Sequence, residues 1–77
     1  MTTFNKLVAL INSSHDEITR KKIMGSNIGG TITLDNYRNL LTQAGYLRIK
    51  TPGVYFILKN INTELSSWDI RREAYPT

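Results

Sequence analysis

At 77 residues the chain reads as one domain, with a modest core and little stability to spare. It has no cysteine, which excludes a disulfide framework or a thiolate metal site, and no stretch has the length of a membrane span, so it reads as soluble and cytoplasmic. The formal net charge of +4 is unevenly spread: residues 18–59 hold Arg20, Lys21, Lys22, Arg38, Arg48, Lys50 and Lys59 against the single acid Asp35, while the segments on either side are each slightly acidic. Positive charge concentrated in this way is expected where the partner is a nucleic acid.

In chain order, residues 3–12 form the first predicted helix. Phe4, Leu7, Val8 and Ile11 recur at helical spacing, and Thr2 or Thr3 supplies an N-cap. Asn12 to Glu17 is polar and reads as a loop. It holds the only histidine, His15. Beside Asp16 and Glu17 this residue makes no ligand set, because adjacent side chains diverge and no second cluster exists. Ser14 next to His15 lacks the orienting third group of a catalytic triad. Ile18 to Met24 reads as a second, short helix capped by Thr19, with Ile18 and Ile23 inward. Arg20, Lys21 and Lys22 then fall in its first turns. Cations there oppose the helix dipole, so local stability does not account for them, whereas phosphate contact does.

Gly25 to Ile32 is a glycine-containing connection without the Gly-Lys-Ser or Gly-Lys-Thr ending of a phosphate-cradling loop. Ile28 and Ile32 are expected to tuck beneath it, Thr31-Ile32 to add a short strand, and Gly29-Gly30 to allow a close backbone approach. A longer helix follows from a Thr33 cap to Ala44. Asp35 is placed in its first turn and Gly45 at a left-handed C-terminal cap. Leu34, Tyr37, Leu40, Leu41 and Ala44 form its inward face. Asp35, Asn36, Arg38, Asn39, Thr42 and Gln43 form a polar face whose amides and hydroxyls suit base edges in a DNA major groove. Asp35 there needs a donor, either cytosine or a neighbouring side chain.

Tyr46 to Lys50 and Val54 to Leu58 then make a β-hairpin around Pro52-Gly53. Two registers are open: one groups Leu47, Ile49, Phe56 and Leu58 on a face, the other pairs Leu47 with Ile57 and Ile49 with Tyr55. In either, Arg48 and Lys50 share the face away from Leu47 and Ile49. The second strand is apolar on both sides and needs a cover. A last helix, starting at Asn62 or Thr63 or at a Ser66–Asp69 capping box, is expected to lie on the hairpin with Trp68 packed against it, and Pro76 to end it.

The order of helix, short helix, longer helix and hairpin resembles the winged helix-turn-helix DNA-binding domain family. The resemblance is carried by Ile18-Thr19-Arg20-Lys21-Lys22-Ile23, by Thr33 to Leu41, by Ala44-Gly45-Tyr46-Leu47 and by Pro52-Gly53-Val54-Tyr55, over about residues 4–59. It implies an α+β fold: a three-helix winged helix-turn-helix with a β-hairpin wing, followed by an additional C-terminal helix over residues 60–77. It also implies that the third helix enters the major groove of double-stranded DNA and that the wing touches flanking backbone. Thr33, Asn36, Arg38 and Asn39 become candidate base or phosphate readers, and Arg20, Lys21, Lys22, Arg48 and Lys50 phosphate contacts. Such a chain fits a small bacterial or phage transcriptional regulator or accessory factor, acting as a dimer or in arrays. A protein-interaction module on the same scaffold, using the hairpin and the Trp68 region, is the alternative. No cofactor or metal is implied. One histidine, no cysteine and no paired carboxylates leave no acid–base or nucleophilic set for an enzyme.

Overall fold

Capping groups and apolar spacing account for most of the elements in the computed structural model, which describes residues 2–75. Its α+β fold runs α1 (Thr3–Asn12), β1 (Glu17–Thr19), α2 (Arg20–Gly25), α3 (Thr31–Gln43), β2 (Leu47–Thr51), β3 (Val54–Ile57) and α4 (Ser67–Ala74). The Thr2 hydroxyl accepts from the Asn5 N–H and starts α1, and the Thr19 hydroxyl accepts from the Lys22 N–H and starts α2. Ser66 and Asp69 form the reciprocal capping box at α4. Gly45 closes α3 at φ +89°. There the Tyr46 N–H donates to the Leu41 carbonyl at 2.9 Å and the Gly45 N–H to Thr42 at 3.2 Å, the double bond of a Schellman cap.

Two expectations about the middle of the chain are corrected. The third helix begins at Thr31, with Gly30 at its N-cap in extended backbone. The Leu34 N–H already donates to the Gly30 carbonyl at 2.9 Å, so Thr31-Ile32 is helix and Thr33 is no cap. Asp35 therefore lies beyond the first turn, and Ile32, expected beneath the loop, is 78% exposed. Ile28 does pack on the core. Gly29 makes the close approach expected of the glycine pair: a Cβ there would fall 2.5 Å from the Thr3 methyl carbon.

The added strand comes from Glu17–Thr19, where the sequence reads as loop and helix start. It pairs antiparallel with β3, Ile18 opposite Tyr55, so the sheet order is β1-β3-β2. Three residues are too few to show a strand period. What holds them is the otherwise unpaired edge of β3, continued by the Ile57 N–H on the Asp16 carbonyl and the Arg20 N–H on the Gly53 carbonyl. The hairpin takes the second register, Leu47 opposite Ile57 and Ile49 opposite Tyr55, with an irregularity before Thr51. Gly53 turns the chain at φ +81°.

The core joins Phe4, Leu7, Val8 and Ile11 of α1 to Ile18, Ile23, Leu34, Leu41, Leu47, Tyr55 and Ile70. Each such side chain contributes roughly 1.5–3 kcal/mol by leaving water. Helix α4 makes its main contacts with α3 instead of the hairpin, with Ile70 fully buried. Trp68, expected to pack on the hairpin, is 69% exposed. The outer side of β3 carries half-buried Phe56, with the Lys50 ammonium 5.5 Å from its ring centre. Pro76 lies outside the described residues.

Candidate nucleic-acid interface

Helix α3 is packed on three sides. Leu34, Leu40 and Leu41 are buried, Tyr37 meets Phe4 edge to face at 5.1 Å, and Arg38 lies over the Tyr55 ring. One stripe faces water: Ile32, Asn36, Asn39 and Gln43, at helical steps of four, three and four. At 1.5 Å per residue it is about 16 Å long. Asn36, Asn39 and Gln43 belong to the polar face read from the sequence. Ile32 was missed because its segment has strand propensity, and only the earlier helix start brings it onto the stripe. Thr33 is exposed, but lies about 100° around the helix from Ile32.

The cations divide into those beside the stripe and those turned from it. Asp35 is central to this division. Arg20 Nε and Nη2 each donate to an Asp35 carboxylate oxygen at 3.1 Å, and Arg38 Nη2 donates to Oδ1 at 3.1 Å. This answers what Asp35 accepts from: two neighbouring side chains. The Arg20 hydrogen bond leads in holding the Asp35 carboxyl below the ordinary carboxylate range, against partial burial and with help from Arg38. Asp35 in turn raises the Arg20 pKa further.

Arg38, expected as a reader, is instead engaged within the protein. Its side chain is only 13% exposed, it donates to the Tyr55 hydroxyl as well as to Asp35, and its buried Nε has no partner among the described residues. It ties α3 to the sheet. Lys22 donates to the Ser14 hydroxyl at 3.0 Å, toward the loop after α1. Lys50 donates to Glu17 at 2.8 Å across the outer sheet face, which Arg48 shares through its pairing with Phe56. The buried face of the sheet, with Ile18, Leu47 and Tyr55, is the one toward α3. Arg48 and Lys50 consequently point away from it. The basic middle of the chain does not become a single basic surface.

Three cations border the exposed side of α3 or its neighbour. Arg20 reaches it through Asp35. Lys21 is exposed, has no ion-pair partner among the described residues, and lines a groove with Arg20, Met24 and the Pro52-Gly53 turn. Arg71 of α4 lines a depression with Asn36, Asn39, Leu40 and Tyr75 on the opposite flank. Arg71 went unrecognised in the sequence because its segment is slightly acidic overall. Its place depends on α4 lying on α3.

Among the described residues no group of three or more His, Asp or Glu side chains is gathered to hold a metal, and His15 stands exposed in its loop. No helix among the described residues is long and apolar enough to cross a membrane. Comparison of the chain with protein-family models, with curated proteins and with solved structures finds no match in any of the three.

Proposed function

We propose that the chain is a winged helix-turn-helix module that binds double-stranded DNA through α3, as a small transcriptional regulator or accessory DNA-binding factor. The observation that carries this reading is the solvent-facing stripe of three carboxamides and one isoleucine, flanked by Arg20 on one side and Arg71 on the other. Amides that both donate and accept are suited to base edges, and guanidinium groups beside them to phosphates. The succession of α2, α3 and the β2–β3 hairpin supports the fold assignment. So does the seating of the α2 start against the hairpin turn, through the Arg20 N–H on the Gly53 carbonyl at 2.8 Å. Phosphate contact in this reading falls to Lys21, Arg71 and Arg20, while Lys22, Arg48 and Lys50, turned from α3, take no part in it.

Anisotropy of labelled duplex pools at two salt concentrations tests it. Lys21→Gln and Arg71→Gln should weaken binding to all sequences, each flattening the salt slope by about one. Asn36→Ala and Asn39→Ala should change sequence preference and leave the slope intact. Duplex affinity that ignores both sets of changes would refute the assignment.

A second reading rests on Trp68, 69% exposed at the rim of a depression of about 340 Å3 that Phe4, Tyr37 and Leu65 also line. Exposed tryptophan at the rim of a recess of mixed polarity is the kind of feature that anchors a protein partner. A protein retained from nuclease-treated lysate at high salt, and lost with Trp68→Ala, would favour this alternative.

A further inference from the structure

We infer that the base pairs addressed by α3 are A·T pairs, with Asn36, Asn39 and Gln43 on adenine edges and Ile32 against thymine methyl groups. The inference rests on the DNA-binding reading above and names its target.

Each base offers a different demand in the major groove. Guanine presents two acceptors and takes a two-donor group such as arginine. Cytosine presents an amino donor and takes a carboxylate. Adenine presents an acceptor beside a donor, which a carboxamide matches with its own donor and acceptor. Thymine alone presents a methyl group.

In α3 and on its Arg20 flank the groups that would read G·C pairs are occupied within the protein, and Arg71 on the other flank is left to phosphate. Arg38 is nearly buried between Asp35 and Tyr55. Arg20 has Nε and Nη2 on Asp35. The two carboxylate oxygens of Asp35 accept from these same arginines, so it has little left for cytosine. The groups that match A·T pairs stand outward without internal partners: no side-chain hydrogen bond of Asn36, Asn39 or Gln43 occurs among the described residues. Ile32 is 78% exposed, and no packing among the described residues explains a large apolar side chain there. A thymine methyl would shield it. The stripe of about 16 Å matches four to five base-pair steps of about 3.4 Å, so the A·T run should be about that long.

Selection of the full chain against duplexes with a randomised core should enrich a run of A·T pairs. In the enriched duplex, each A·T pair changed to G·C should lower affinity roughly tenfold where a carboxamide contact is lost. Replacing thymine by uracil in that run removes only the methyl and should cost roughly fourfold, and Ile32→Ala should abolish that sensitivity. Asp35→Ala, checked for native circular dichroism, should release Arg20 and move the preference toward guanine. Duplex binding with ordinary salt dependence but with G·C runs enriched, or with no preference and no response to uracil, would overturn the inference and leave DNA binding standing. Failure to bind any duplex would overturn both.

Discussion

Tyr46 ties the start of the hairpin to the last helix, and its hydroxyl gives this contact a distinct signature in pH. The hydroxyl donates to Glu73 Oε2 at 2.7 Å, and the residue is 5% exposed. The phenol is pushed up from 10.0 to about 12, first by that hydrogen bond, then by burial and by the negative charge of Glu73. Between those two values the unfolded chain has lost its tyrosine proton and the folded chain keeps it, so stability falls as the pH rises. The contribution is complete below pH 10; about 1.4 kcal/mol of it is gone at pH 11 and about 2.7 kcal/mol once the folded group also ionises. Tyr46→Phe removes the hydroxyl and keeps the ring. Because Glu73 is exposed and water can replace the donor, the cost at pH 8 should be near the low end for a charged hydrogen bond, about 1.5 kcal/mol, or a fall in Tm of roughly 6–12 °C. Urea unfolding of both proteins from pH 8 to pH 11 is the assay. The two chains differ only at this hydroxyl, so the difference between them isolates Tyr46. The gap should shrink almost to nothing by pH 11. A gap that stays constant over that range would refute the coupling between the Tyr46 proton and the docking of α4.

Three further outcomes follow from other contacts. Leu41→Ala empties a fully buried position at the centre of the core and should cost about 2–5 kcal/mol by urea unfolding, a large share of the roughly 4–12 kcal/mol expected of a domain this size; a loss under about 1 kcal/mol would contradict its placement. Gly45→Ala forces a side chain into the left-handed cap at φ +89° and should lower stability by about 1 kcal/mol in the same assay, although nothing lies within 4 Å of the added methyl; a neutral or stabilising result would argue against that backbone geometry. The Asp69 carboxyl is held below its ordinary 3.8 by hydrogen bonds from the Ser66 backbone and side chain, so its contribution is complete above that value and is lost as the pH falls below it. The stability difference between the wild type and Asp69→Asn should therefore be smaller at pH 3 than at pH 6, and equal differences at the two pH values would count against the capping box.

What the sequence by itself determined is local. Thr19 and Gly45 mark helix ends, and Thr2 and the Ser66–Asp69 box stand among the alternative starts the sequence offers, because a cap is satisfied within a few residues of chain. The periodic faces of α1 and α3 are legible because burial repeats with the helix turn. The hairpin is legible from Pro52-Gly53, but its register waits on which side chains the core accepts. The first strand escaped because three residues carry no period and gain their hydrogen bonds from a strand more than thirty residues away. The same distance problem hid the Asn12 side chain, which exchanges two hydrogen bonds with the Ile61 backbone across 49 residues and anchors the segment leading into α4. Charge misled for a related reason. Proximity in sequence put Arg38, Arg48 and Lys50 with Arg20 and Lys21, yet a side chain points where its element is packed. Only the tertiary structure decided that Asp35 holds Arg20 and Arg38, that the sheet turns Arg48 and Lys50 away, and that Ile32 and Arg71 join Asn36, Asn39 and Gln43 at the exposed face of α3.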